Sequence, residues 1–303
     1  MDLFLQQLVN GLSLGGIYAL IALGYTMVYG IIELVNFAHG DVYTLGSFFS
    51  LAVLGFIGIQ GELHGAPLVG VVALTLVCAM LFCGLAGVAI ERFAYRPLRN
   101  APRLALLITA IGVSFILENL MQFWRGPSPV PFPSFFPDAS IMLGGVLIEA
   151  KQVIVVFLAI VMMAALQIFV YNTKLGKAMR ATAQDREAAQ LMGINVNTTI
   201  ALTFLIGSAL AGAAGFVSGV YYGTTWFFNG FSAGLKAFTA AVLGGIGNLA
   251  GAMLGGFLIG LIEAFTTQFI SDQWSNVVVF SVLVLVLVFR PSGLLGESLP
   301  NKV

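Results

Sequence analysis

Of 303 residues, 59% are apolar and only 9% are charged, and the mean hydropathy is +1.00. Soluble domains carry about 25% charged residues, so 13 basic and 13 acidic side chains are too few to coat a water-soluble protein of 32.1 kDa. This excludes a soluble enzyme and a disordered protein, and zero net charge with an isoelectric point near 6.7 leaves no basic stripe for nucleic acid.

The remaining class is an all-α polytopic membrane protein, with one transmembrane domain over 1–303. A spanning helix takes roughly 20 residues, so eight spans use roughly 160 and leave about 140 for loops. The apolar runs are 8–32, 42–59, 66–90, 104–123, 153–170, 198–222, 237–265 and 277–289. They predict about eight transmembrane helices, and 8–10 once broken or half helices are counted. The first run is longer than the roughly 7–15-residue core of a signal peptide and ends in no A-x-A-like site, so it is expected to be a retained helix.

Between the first two runs lies Glu33-Leu34-Val35-Asn36-Phe37-Ala38-His39-Gly40-Asp41, which has no basic residue. Two arrangements fit it. One is a helix break partly inside the membrane and lining a cavity, because irregular backbone survives at depth only there. The other is a short cytoplasmic turn. Broken helices expose backbone groups that hold polar ligands, so Asn36, Phe37, His39 and Gly40 are pathway candidates. Cys78 and Cys83 lie on nearly opposite sides of the third helix and read as small buried hydrophobes.

Basic residues set the orientation. Arg92, Arg96, Arg99 and Arg103 in 91–103, with Lys174, Lys177, Arg180 and Arg186 in 171–197, are 8 of the 13, so both stretches are expected in the cytoplasm. The segment 124–151 between them then faces outward. It holds Pro127, Pro129, Pro131, Pro133 and Pro137, half of the prolines, and reads as a stiff extended external loop. Three spans before residue 91 put the N-terminus outside. Three spans after residue 197 put the C-terminus outside, and four put it inside, the side toward which Arg290 and Lys302 lean. Glu118, in the fourth run, fits an interfacial position or a pair with Arg125.

Within the loop 171–197, the stretch 177–192 is rich in helix formers, with Asn172 or Thr173 to cap its start and Gly193 to stop it. It predicts one short amphipathic helix whose Ala188 and Ala189 make a flat surface beside Glu187, suited to docking in another protein's groove. The bland alternative is a helix lying on the bilayer. Glycines at small-xxx-small spacing, Gly11/Gly15, Gly215/Gly219/Gly223, Gly251/Gly255 and Gly256/Gly260, suit close helix packing within the chain or, less commonly, between subunits.

The seventh run is interrupted by Gly244-Gly245-Ile246-Gly247-Asn248, which makes it one long broken helix or a half-helix followed by a full span, and adds Gly244, Gly245 and Asn248 to the pathway candidates. Glu263, near the end of that run, fits a helix-end position or a pathway position. No chain of acids with a buried basic partner is visible in the spans. There is no phosphate-cradling G-x-x-x-x-G-K-[ST], no H-E-x-x-H, and His39 and His64 are too few for a metal cluster. An ATP-driven role therefore needs a partner ATPase.

Several strings resemble the permease subunits of branched-chain amino acid ABC importers. They are Asn10-Gly11 with Tyr18-Ala19-Leu20-Ile21-Ala22-Leu23-Gly24-Tyr25-Thr26-Met27-Val28-Tyr29-Gly30, then Val35-Asn36-Phe37-Ala38-His39-Gly40, and Glu91-Arg92 with Tyr95-Arg96-Pro97. Later come Met179-Arg180-Ala181, Leu191-Met192-Gly193-Ile194-Asn195, Ala201-Leu202-Thr203-Phe204 and Lys236-Ala237-Phe238-Thr239-Ala240-Ala241-Val242-Leu243-Gly244-Gly245-Ile246-Gly247-Asn248. The resemblance covers nearly the whole chain and is closest to the shorter of the two permease subunits. It implies a non-enzymatic subunit in a bacterial inner membrane. Its partners would be a second homologous permease, two ABC ATPases that bind the ATP, a periplasmic substrate-binding protein and the lipid bilayer, with no cofactor and no metal in this chain. The cargo implied is leucine, isoleucine and valine, moved by alternating access.

Glu187-Ala188-Ala189 followed by Gly193 resembles the coupling pattern of ABC permeases, with Arg180 in the same loop, but the usual Leu-Pro does not follow. That departure implies the fold branch of the ribose and vitamin B12 importers. Urea and short-chain amide permeases share the family and are the nearest rival reading. A secondary transporter or channel acting alone is the rival from another class, and a docking helix argues against it.

Overall fold

The computed structural model describes residues 2–32, 35–59, 61–99, 101–137, 139–143 and 145–296. Glu33 and Leu34 of the first break, and Lys302, lie outside the described residues. The helices are α1 (Asp2–Ile32), α2 (His39–Ile57), α3 (Gly65–Ile90), α4 (Arg103–Arg125), α5 (Ala150–Asn172), α6 (Lys174–Gln184), α7 (Arg186–Leu191), α8 (Val196–Tyr222), α9 (Asn229–Gly244), α10 (Leu249–Phe269) and α11 (Asp272–Phe289). Among the described residues eight are long and apolar enough to cross a bilayer: α1 to α5, α8, α10 and α11.

These match the eight apolar runs, with one refinement. The seventh run is a short helix followed by a full span. The 16 residues of α9 reach about 24 Å at 1.5 Å per residue, short of the roughly 30 Å hydrocarbon core. Helix α9 stops at Gly245, whose φ of +105° glycine alone adopts at low cost, and Asn248 caps α10 by accepting from Gly251 N at 3.0 Å.

Burial falls outward from the centre. The most apolar stretch of α1 is 83% buried and that of α8 78%, against 11% for α11. Helices α1, α2, α8, α9 and α10 form the inner bundle, and α3, α4, α5 and α11 present apolar outer faces suited to lipid. Glycines set how closely the inner helices approach. A Cβ on Gly11 would stand 2.8 Å from Leu261 Cα, and one on Gly15 2.7 Å from Phe257 Cα. Gly260 faces Gly15 and Gly11, Gly256 faces Ala19, and Gly46 faces Gly212 across α2 and α8. Gly251 and Gly255 face Gly244 and Ala240 of α9, Gly215 faces Tyr43 and Ser47, and Gly219 faces Phe132, so these glycines serve packing within the chain, whereas Gly223 faces open space and ends α8 with φ +66°.

The proline-rich segment departs from a plain extended loop. Its strand β1 (Val130–Pro131) pairs with β4 (Thr224–Thr225) after α8, and β2 (Ser140–Leu143) with β3 (Val146–Glu149) makes an antiparallel hairpin. Prolines forbid a helix there, but Phe132, Phe135 and Phe136 need cover and are buried, Phe132 against Gly219 and the Phe216 ring. Helix α5 runs from this hairpin to α6, so the proline-rich and the basic segments lie at opposite ends of the bundle.

Two outcomes follow for measurement. Gly260→Leu forces a side chain into the α1 backbone and overpacks the bundle by about 1–3 kcal/mol, whereas Gly70→Leu enters open space. Thermal unfolding in detergent is expected to drop by several degrees for the first and to stay at the parent value for the second. For sidedness, the exposed positions Ser134 and Ala183 each receive a cysteine after Cys78 and Cys83 are replaced. An impermeant thiol reagent outside intact cells is expected to label Ser134→Cys and spare Ala183→Cys, and the reverse pattern overturns the orientation drawn from basic residues.

Candidate functional site

The basic end is built around a local irregularity. Helix α3 ends in a π-turn, Glu91–Tyr95, and then a 3-10 turn, Arg96–Leu98. The extra residue per turn swings both Glu91 and Tyr95 into the protein, where both are buried. Glu91 pairs with Arg99, whose other nitrogen donates to Asn197 Oδ1 at 2.6 Å at the start of α8. Burial holds the Arg99 guanidinium below its ordinary pKa, against the pull of Glu91. Tyr95 donates its hydroxyl to Asn36 Oδ1 at 2.7 Å.

The loop 171–197 is helical, as its composition predicts, but in two pieces. Thr173 caps α6, accepting from Gly176 N at 3.0 Å. The single helix expected over 177–192 breaks at Asp185, which turns extended and caps α7, accepting from Glu187 N at 2.9 Å and Ala188 N at 3.0 Å. An aspartate satisfies two free N–H groups better as a cap than it serves a helix interior. Gly193 ends α7 with φ +84°, as expected of a C′ glycine.

The two alanines of the expected flat surface are divided. Ala189 is buried, whereas Glu187, Ala188, Leu191 and Met192 face outward, the last two 89% and 83% exposed. Arg186, read from sequence only as one charge among several, is the inward anchor. Its Nε and a terminal nitrogen both donate to Ile31 O, at 3.1 and 2.5 Å, in the last turn of α1. Arg180 is exposed but lies on α6, away from the α7 strip: its guanidinium covers the Tyr171 ring at 5.0 Å and donates to Tyr171 O at 3.4 Å.

The described part of the first break, Val35 to Ala38, is not helical, and α2 resumes beside Gly24 of α1, against the His39 ring. Gly24 is about 12 Å along the helix from Ile32 at 1.5 Å per residue, so the chain re-enters the bundle before turning helical. His39 is buried, edge-on to Tyr25 at 4.7 Å. Phe37 is half-buried, 6.4 Å from the Phe238 ring. Gly40 is a contact point between α2 and α9: a Cβ there would sit 3.1 Å from Gly234 Cα. Asn36 is bonded to Tyr95. Gly244, Gly245 and Asn248 form the tight α9–α10 junction, closed by the segment after α11, with Asn248 Nδ2 donating to Leu295 O at 2.8 Å. Both breaks are thus packed against neighbouring segments of the chain.

Two acids turn into the protein. Glu118 is buried on α4, within electrostatic reach of Asp41, while Arg125 stacks over Trp124 at 4.9 Å. Asp41 accepts from Ser114 Oγ at 2.5 Å. Glu263 turns inward from α10, pairs with Lys236 Nζ of α9 at 2.6 Å and accepts from Tyr18 OH of α1 at 2.8 Å. The inner bundle thus contains a largely buried acid–base pair that sequence reading did not find. One signal was present: Lys236 is the lone basic residue between Arg186 and Arg290. Cys78 and Cys83 are free, Cys83 buried, and no group of three or more metal-ligating side chains occurs among the described residues.

Comparison with known proteins agrees with this architecture. A family model described as "Branched-chain amino acid transport system / permease component" matches residues 7–287. The chain is 45% identical over 304 residues to the high-affinity branched-chain amino acid transport system permease protein BraD of Pseudomonas aeruginosa, covering 99% of this chain and 98% of that protein. It is 44% identical over 305 residues to the corresponding protein LivH of Escherichia coli K12, with the same coverage. A more distant relative, the permease protein LivM of Salmonella typhimurium, is 26% identical over 94% of this chain and 69% of its own length. No solved structure matches the chain. These relatives are transport permeases rather than enzymes, and with eight helices fit to span a bilayer this multi-pass membrane protein belongs to the branched-chain amino acid transport permease family.

Proposed function

We propose that this chain is the permease subunit of an ATP-binding cassette importer that carries leucine, isoleucine and valine across a bacterial inner membrane. Its partners in this reading are a second, LivM-like permease, two ATPases and a periplasmic binding protein. The observation that carries the reading is identity of 44–45% to BraD and LivH across 98% of their lengths. The sequence has no phosphate-binding loop, so in this reading the ATP is bound by partner subunits, and the lack of a Leu-Pro at the coupling pattern's place shortly after Gly193 supports the fold branch of the ribose and vitamin B12 importers.

The exposed strip Glu187, Ala188, Leu191 and Met192 supports a docking role for α7 in an ATPase groove. Two large apolar side chains standing free in water beside a charge and a small residue are a poor solvent surface and a good anchor. Closure of the ATPases moves α7, Arg186 carries that movement to the end of α1, and the inner bundle reopens toward the other side.

The test of the whole reading is uptake by the reconstituted importer in proteoliposomes holding ATP. Leucine, isoleucine and valine are expected to accumulate, and urea or acetamide not to. Preference for urea or an amide overturns the cargo assignment. Within that assay, Ala188→Trp is expected to cut uptake by about 30-fold or more, the effect of losing one anchor of about 2 kcal/mol, with membrane insertion intact. Arg180→Ala, off the docking strip, is expected to stay within about twofold of wild type, as surface changes do. Wild-type uptake by Ala188→Trp removes α7 from the coupling route.

A further inference from the structure

Midway through the bundle a cavity of about 240 Å³ is walled by α1, α2, α8, α9 and α10. That is well above the roughly 10–15 Å³ one water needs. Its mouth carries the exposed residues Tyr222, Thr224 and Ser232, and its buried floor Tyr18, Tyr43 and Lys236. Tyr18 is about 24 Å from Asp2 and about 21 Å from Ile32 along α1 at 1.5 Å per residue, so the floor lies at mid-depth. The Lys236–Glu263 pair lines this cavity, with Nζ 5.9 Å from the Tyr18 ring centroid.

We propose that Lys236 and Glu263 are the transient binding position for the substrate as a zwitterion: the α-carboxylate on Lys236 Nζ, the α-ammonium on Glu263. The inference rests on the amino-acid permease reading and names the place where the cargo is held. A buried ion pair is a poor device for stability alone, because apolar residues of similar volume commonly do as well or better. Ionisable groups at membrane depth that face a cavity mark substrate routes.

The charge bookkeeping favours a zwitterion over the other cargo types. Lys236 and Glu263 cancel each other while the site is empty. A zwitterion inserted head to tail makes two opposite-charge contacts and adds no net charge. An anion or a cation would leave an unbalanced charge in a low-dielectric site, and an uncharged amide or sugar would bring only dipoles, a weaker match to two full charges than a zwitterion's own charges. Lysine has three N–H donors and a carboxylate about four acceptor positions, so each group can hold its present partner and the incoming one together. Ile17 and Ala233 supply the apolar wall for a side chain. Tyr43, hydrogen-bonded to Ser218, also lines the cavity.

The test is leucine uptake by the whole importer carrying the near-isosteric neutral pair Lys236→Met with Glu263→Gln. Loss by about tenfold or more, with the complex still purifying intact, is expected. Wild-type uptake by this double variant overturns the proposal and makes the pair a packing element. A wild-type importer that moves other solutes but no amino acid overturns the amino-acid reading and this inference with it, an outcome distinct from the first. Should the neutral pair fail to assemble, Ser232→Cys in a chain lacking Cys78 and Cys83 carries the test. Millimolar leucine is expected to slow its modification by a small thiol reagent several-fold, and acetamide to leave it unchanged. Equal rates with and without leucine overturn the proposal.

Discussion

Backbone-to-backbone contact between α1 and α10 governs the interior. Lipid gives no hydrophobic drive for helices to associate, so cohesion comes from close van der Waals approach, and glycines, with one alanine, permit it here. Gly11 and Gly15 meet Gly260, and Ala19 meets Gly256. The same register fixes the polar centre. Tyr18 is three residues beyond Gly15 and Glu263 three beyond Gly260, so each lies on the contacting face of its helix, and their side chains meet at 2.8 Å. Lys236 joins them because α9 packs on α10 through Gly244, Gly251 and Gly255. A larger residue at any of these glycines would part the helices and the polar group together.

The irregular stretches complete one another. The break before α2 needs a partner for Asn36, and the π-turn after α3 delivers Tyr95 to it. His39 N donates to Asn36 O at 3.0 Å, closing the turn from within. Backbone that leaves the helix inside a bundle has to be satisfied by protein, so two departures in separate helices are more stable together than either alone. The α9–α10 junction follows the same rule, with Leu294 N and Leu295 N donating to Leu243 O and Gly244 O.

Much of this was legible in the sequence because it is local. Apolar length gave the spans, glycine spacing gave the packing faces, and Thr173 and Gly193 marked ends of the two basic-end helices. Features that depend on two distant segments were not. Asp185 reads as one more charge in a helix-forming stretch until its preference for capping is weighed against continuity. Phe132 looks exposed beside five prolines until α8 supplies the cover. Lys236 and Glu263 are 27 residues apart on different helices, and no periodicity links them. Only the rarity of a basic residue in that part of the chain pointed inward.

Helix α1 links the basic end of the bundle to its polar centre. It is one unbroken helix of 31 residues, about 46 Å at 1.5 Å per residue, with Arg186 gripping its last turn and Tyr18 at mid-length. Between Ile31 and Tyr18 there is no proline and no π-turn to act as a joint. A displacement applied at α7 therefore reaches the polar centre without slack. In the coupling reading proposed above, α1 would serve as a shaft without a joint, and any timing between its end and its middle would be set by what grips them, not by the helix itself.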